Sequence, residues 1–136
     1  MRVLILCTGN SCRSQIAEGY IKHWYPEWEV YSAGTKPSFQ VHPIAISVMR
    51  EIGIDISNSS PKNIDKFLSQ EFDYVITVCS IAKENCPIFS GKVNILEHIA
   101  FDDPAEATGT EEEIIDEFRR VRNDISAKLK SYFEKN

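Results

Sequence analysis

Apolar residues fall along this chain in two alternating patterns. Four short runs rich in branched side chains, Val3–Cys7, Trp28–Ser32, Tyr74–Cys79 and Val93–Leu96, predict buried strands. Between them apolar residues recur every three or four positions, the spacing that places them on one face of a helix. Ile16, Ala17, Tyr20, Ile21 and Trp24 form one such stripe, and Ile44, Ala45, Val48, Met49 and Ile52 form another. A short third helix is expected with Ser60 as N-cap, Pro61 in its first position and Ile64, Phe67 and Leu68 facing inward. The last helix opens on a Thr110–Glu113 capping box and presents Ile114, Phe118, Val121, Ile125, Leu129 and Tyr132 inward.

Strands alternating with helices imply βαβ units. The expected fold is α/β: a single-domain three-layer sandwich over residues 1–136, with a four-stranded parallel sheet flanked by helices. In such sheets ligands bind outside the carboxyl ends of the strands. Cys7 ends the first strand, Cys79 ends the third, and Asp102-Asp103-Pro104 follows the fourth. All three are therefore expected on one edge of the sheet, far apart in sequence though they are.

Composition adds exclusions. The 136 residues are 43% hydrophobic and 26% charged, ordinary for a globular chain, and suit one domain. A net charge of −5 argues against nucleic acid or a membrane surface as partner. The opening apolar run is too short for a signal peptide or a membrane span, so a cytoplasmic protein is expected. Four cysteines in such a setting point to reactive thiols more than to structural disulfides. Neither a CxxC pair nor ligand spacing among His23, His42 and His98 suggests a metal, and the histidines read as solvated or helix-capping.

The chemistry concentrates in Cys7-Thr8-Gly9-Asn10-Ser11-Cys12-Arg13-Ser14, which joins the first strand to the first helix. Five residues between Cys7 and Arg13 let the loop curl until successive backbone N–H groups form an anion nest. The helix that begins near Ser14 points its positive end at the same place. Arg13 supplies a planar fork for two oxygens of a tetrahedral anion. Gly9 permits unusual backbone angles, and Asn10 tolerates the left-handed region. These positive surroundings favour the thiolate of Cys7, to which the Ser14 hydroxyl can donate. Residues 7–14 are thus a candidate oxyanion site with Cys7 as nucleophile. A displacement at phosphorus or arsenic also needs an acid for the departing oxygen, and Asp102 and Asp103 are both candidates.

This loop, together with Ala17-Glu18-Gly19, Ser32-Ala33-Gly34 and Asp103-Pro104, resembles the low-molecular-weight protein tyrosine phosphatase superfamily. Ile54-Asp55-Ile56-Ser57-Asn58, Cys79, Cys86-Pro87, Phe101 through Ala105 and Arg120-Val121-Arg122 make the chain resemble more closely its thioredoxin-coupled arsenate reductases, over nearly the whole length. The resemblance implies Asp103, immediately before the proline, as the general acid. It implies reduction of arsenate to arsenite by a relay of Cys7, Cys79 and Cys86, ending in a Cys79–Cys86 disulfide that thioredoxin reduces. Were residues 79–86 helical, seven rises of about 1.5 Å would part the two Cα atoms by ~10 Å, against a disulfide limit of ~7 Å, so the segment is expected to be a loop or to unwind. Cys12 receives no step in the cycle; oxidative pairing with Cys7 is its expected chemistry.

Departures from the family pattern matter too. Glu18 matches members that bind potassium, but Lys62 stands where an aspartate is expected. Its ammonium is read in the cation's role, so neither metal nor cofactor is expected. Ala105 and Glu106 replace the aromatic that phosphatases of the superfamily carry after Asp-Pro, while Phe39 can still flank an aromatic substrate. Three readings remain: an arsenate reductase with thioredoxin as reductant, a phosphatase for phosphotyrosine or small phosphate esters, and a non-catalytic anion sensor. Arsenate or phosphate is the expected small ligand, and the chain is expected to act as a monomer.

Overall fold

A computed structural model describes residues 1–79 and 89–135. Four strands, β1 (Arg2–Cys7), β2 (Glu29–Gly34), β3 (Glu71–Thr77) and β4 (Lys92–His98), form one parallel sheet in the order β2-β1-β3-β4. Three α-helices, α1 (Arg13–Trp24), α2 (Pro43–Arg50) and α3 (Glu111–Lys135), alternate with them. Alternate residues of β1 serve opposite faces, as a pleated strand requires. Val3, Ile5 and Cys7 join a core with Ile16, Ile21, Val48, Phe118, Ile125 and Leu129 from the three helices. Leu4 and Leu6 face Ala33, Ile64, Phe67, Val75 and Phe89 on the other side. The expected α/β layering stands, but among the described residues the second outer layer is thin, built on a 3-10 turn at Ile64–Phe67.

That turn corrects the helix expected after Ser60. Residues 60–63 cannot coil, because their backbone groups serve other partners. The Lys62 N–H donates to Asn10 Oδ1 at 2.9 Å and its carbonyl accepts from the Gly34 N–H at 2.8 Å. The turn starts three residues later than expected, with Asn63 Oδ1 capping the Asp65 N–H at 2.9 Å.

Strand limits move for similar reasons. β2 runs to Gly34 because its register on β1 continues to Cys7↔Gly34, while Trp28 stays outside and stacks on Tyr25 at 3.9 Å. β3 ends at Thr77, although the Val78 N–H still reaches the Leu6 carbonyl at 2.9 Å. β4 is an edge strand and not a buried one, leaving Ile95 40% and Leu96 50% exposed. Ile52 lies beyond α2 and is exposed, and Phe133 instead of Tyr132 fills the end of the α3 face. The capping box forms as expected: Glu113 N–H donates to Thr110 Oγ1 at 3.1 Å and Thr110 N–H to Glu113 Oε1 at 3.2 Å.

Gly34 is where sheet and loop meet most tightly. A Cβ there would run into the Thr8 carbonyl, which is backbone and cannot swing aside. Gly34→Ala is therefore expected to lower unfolding stability by ~1–3 kcal/mol, the usual range for overpacking a closed site. Urea unfolding monitored by circular dichroism checks this, and an unchanged midpoint would show that the contact is slack.

Candidate active site

The β1–α1 connection closes on itself because one residue leaves the right-handed backbone region. Asn10 has φ 51°, and among the described residues it is the non-glycine position with positive φ. Asparagine tolerates this conformation better than most side chains. Its fully buried amide then ties the loop down. Nδ2 donates to Ser14 Oγ at 2.7 Å and Ser32 Oγ at 2.9 Å. Oδ1 accepts from the Lys62 N–H at 2.9 Å and from Gln15 Nε2 at 3.2 Å.

The outward carbonyls of the loop are held by the segment that follows β2. Lys36, Ser38 and His42 N–H groups donate to the carbonyls of Thr8, Gly9 and Ser11 at 3.0, 2.8 and 3.1 Å. In a trans peptide the N–H opposes the carbonyl. The amides of Gly9, Asn10 and Cys12 are thereby turned inward, and that of Asn10 donates to Cys7 Sγ at 3.1 Å. Ser14 Oγ lies 2.8 Å from the same sulfur. Since it already accepts from Asn10, its own hydrogen is available to a thiolate.

Helix α1 adds to this field. Its N-cap, Cys12, makes no capping side-chain hydrogen bond, and its first turn holds no acidic residue. The N-terminal amides and their positive partial charge are left for an external anion. Arg13 begins the helix and is 4% exposed, with Nη1 donating to the Phe101 carbonyl at 3.3 Å and Nη2 lying 3.7 Å from Asp103 Oδ2. The result is a cavity of about 230 Å³ lined by Cys7, five loop residues from Gly9 to Arg13, Ser38, His42, Asp103 and Ala105. Of the expected oxyanion residues, Thr8 and Ser14 stand behind this lining. A larger hollow of about 550 Å³ lies at the other end of the sheet, among Arg2, Glu71 and Lys92 where strands begin, and contains none of the expected residues.

The two aspartates part company. Asp102 is largely exposed and paired with Arg120 at 2.8 Å. Asp103 lines the cavity, and its Oδ1 accepts from the Ala105 N–H at 3.0 Å, so the carboxyl is positioned by the turn it caps. Cys12 is buried in the same wall. Burial, then the Asp103 charge, push its thiol up to about 12, which keeps it protonated beside the nucleophile.

Cys79 follows Val78 past the end of β3, fully buried and in the same core as Cys7. It is disulfide-bonded, whereas Cys7 and Cys12 are free thiols. Cys86 lies outside the described residues, and so does the rearrangement expected between 79 and 86. Lys62 Nζ donates to the Ser60 carbonyl at 2.8 Å, and Glu18 pairs with Lys22 at 2.9 Å. Among the described residues no cluster of His, Cys, Asp and Glu has the makings of a metal site, and no helix is long and apolar enough to cross a membrane. Phe39, 98% exposed, stands next to the cavity-lining Ser38. Sequence reasoning missed Ser38 and His42 as site residues; for His42 the available signal was its place directly before Pro43, at the mouth of a helix.

The model of the low molecular weight phosphotyrosine protein phosphatase family matches residues 2–135. An arsenate reductase of Bacillus subtilis is 47% identical over 133 residues, covering 97% of this chain and 94% of the relative. A solved arsenate reductase in its phosphate-binding state superposes with a TM-score of 0.81 at 32% identity, covering 98% of this chain and 97% of the other. The thioredoxin-dependent arsenate reductase of Corynebacterium glutamicum gives 0.61 at 29% identity, covering 99% of this chain and 63% of that one.

Asn10→Ala should test how much of the loop rests on one amide. It places alanine at positive φ and strips partners from the buried groups of Ser14, Ser32, Gln15 and Lys62. A loss of at least ~2 kcal/mol in urea unfolding is expected, since each orphaned buried group costs about 1–3 kcal/mol. Asn10→Gly should recover only the backbone part. A loss below ~0.5 kcal/mol for Asn10→Ala would show that water replaces the amide without cost.

Proposed function

The chain belongs to the low molecular weight phosphotyrosine protein phosphatase family, and on that premise we propose that it is an arsenate reductase within it. The observation that carries this reading is the second sulfur: Cys79 is buried in the same core as Cys7, just past the strand that pairs with β1. Hydrolysis of a phosphate ester needs one thiol and water. Reduction of arsenate to arsenite needs two electrons, which a pair of thiols supplies on becoming a disulfide.

The residues divide the work as follows. Arsenate enters the nest, its oxygens met by the inward amides of Gly9, Asn10 and Cys12 and by the Arg13 fork. The Cys7 thiolate attacks arsenic, and Asp103 gives a proton to the departing oxygen, which leaves as water. A thiolate at Cys79 then attacks Cys7 Sγ. The electrons of the sulfur–arsenic bond pass to arsenic, arsenite departs, and a Cys7–Cys79 disulfide forms. Cys86 attacks Cys79, returning Cys7 as thiolate and leaving a Cys79–Cys86 disulfide for the thioredoxin dithiol to reduce. Thioredoxin as reductant is supported by the similarity to the Corynebacterium protein, which is thioredoxin-dependent.

A second reading, hydrolysis of aryl phosphates, is favoured by the exposed Phe39, next in sequence to the cavity-lining Ser38, and by the family itself. It uses only Cys7, Arg13 and Asp103. Serine variants of the other two cysteines separate the readings. Cys79→Ser should abolish steady-state arsenate reduction with thioredoxin yet leave p-nitrophenyl phosphate hydrolysis within about threefold of the parent, because hydrolysis calls on no second thiol. Cys86→Ser should give one turnover per enzyme and then stop, read as arsenite formed in a rapid-mixing assay. Both variants reducing arsenate as fast as the parent would overturn the relay.

A further inference from the structure

His42 stands in the wall of the oxyanion cavity, in the company of Cys7, Arg13 and Asp103, and the reaction just described gives it no part. Its position is fixed from three sides. The backbone N–H is held by the Ser11 carbonyl of the oxyanion loop at 3.1 Å. The imidazole lies 4.8 Å from the buried ring of Phe118 on α3. Nδ1 accepts the Ile44 N–H at 3.1 Å and so caps helix α2, in front of Pro43.

This cap decides the tautomer. A ring nitrogen that accepts a hydrogen bond carries its lone pair there, so the hydrogen of neutral imidazole must sit on Nε2. Protonation would have to occur at Nδ1 and would end the cap. We propose that His42 is an oxyanion-binding residue of this site: a neutral imidazole, locked by its own helix cap, that offers Nε2–H to an outer oxygen of the bound tetrahedral anion. The proposal rests on the oxyanion reading of the nest. In that arrangement Arg13 and the loop amides grip the anion from the Cys7 side, and His42 adds a donor on the wall shared with Ser38.

The electrostatics agree. Burial lowers the His42 pKa below its ordinary value, and the Asp103 carboxylate opposes that shift. The ionisable groups that share its cavity are Cys7, Cys12 and Arg13 from the loop and Asp103 from the turn after β4; from α3 its ring contact is the apolar Phe118. A neutral donor can serve a dianion without competing with the Arg13 fork for charge. An anion placed at the same wall would repel the ligand.

Two substitutions separate this role from the structural one. Asparagine and aspartate are both strong N-caps, so H42N and H42D should each keep α2 closed. If His42 only caps the helix, H42N should bind inorganic phosphate as tightly as the parent. If it faces the oxyanion, H42D should bind inorganic phosphate at least tenfold more weakly than H42N by calorimetry. H42N should in turn raise KM for arsenate severalfold over the parent, with a smaller change in kcat. NMR titration of the His42 ring in the unmutated protein gives a reading that needs no stable variant. Its midpoint should rise when phosphate is bound, because a dianion close to Nε2 favours the imidazolium form. Equal phosphate affinity in parent, H42N and H42D, or a His42 midpoint indifferent to bound phosphate, would overturn the proposal. Failure of the parent itself to bind phosphate would overturn the oxyanion reading beneath it, and so would be told apart.

Discussion

The left-handed conformation of Asn10 is the constraint on which the site depends. With φ at 51°, the chain reverses after Gly9, and the peptides of residues 8–12 alternate so that carbonyls leave and amides enter. A left-handed residue alone would not hold, so the amide of the same residue is bonded to β2 through Ser32, to α1 through Ser14 and Gln15, and to the 60–63 segment through Lys62. Three pieces of structure, two of them distant in sequence, therefore converge on one buried side chain. That convergence also explains why the 60–63 segment is extended: its backbone is recruited to the loop and withheld from a helix.

Local charge then overrides global charge. The chain as a whole carries −5, yet the cavity collects inward amides, the open end of α1 and a guanidinium that is nearly sequestered from water. Such groups act strongly because burial removes the screening that water would supply. Asp103 is the counterweight, its carboxylate oxygen 3.7 Å from Arg13. Cys12 shows how selective the arrangement is. It sits in the same loop as Cys7, but burial and the nearby carboxylate keep it a thiol, whereas Cys7 receives an amide and faces a hydroxyl. Two sulfurs five residues apart thus sit in different hydrogen-bonding surroundings.

Much of this was legible in the sequence because it is local. The strand–loop–helix around Cys7, the left-handed Asn10, the α3 capping box and the gathering of Cys7, Cys79 and Asp103 near one sheet edge all follow from spacing and from residue types with few alternative uses. Gly9, expected to supply unusual backbone angles, keeps an ordinary φ and instead leaves room for Ser38 Oγ, which a Cβ would meet at 2.8 Å. What was not legible depends on partners supplied from elsewhere. The helix expected at Ser60 fails because Asn10 and Gly34 claim the Lys62 backbone. β4 reads as buried from its Val-Asn-Ile-Leu run, but its place at the sheet edge leaves Ile95 and Leu96 exposed. The separation of Asp102 from Asp103 needed the ion pair with Arg120, eighteen residues away. His42 could be expected to cap a helix, and did; that the same ring would also line the cavity required the tertiary packing of Phe118 and Ser11.

The central claim is that a phosphatase-like nest in this chain is connected to a thiol relay that turns oxyanion capture into two-electron reduction. The most direct measurement is the stoichiometry of NADPH oxidised per arsenite formed, with thioredoxin and thioredoxin reductase supplied in excess. The account predicts one NADPH for each arsenite, saturation with arsenate, and no oxidation when thioredoxin is left out. Arsenate failing to draw electrons from NADPH, in a preparation that hydrolyses an aryl phosphate normally, would contradict it.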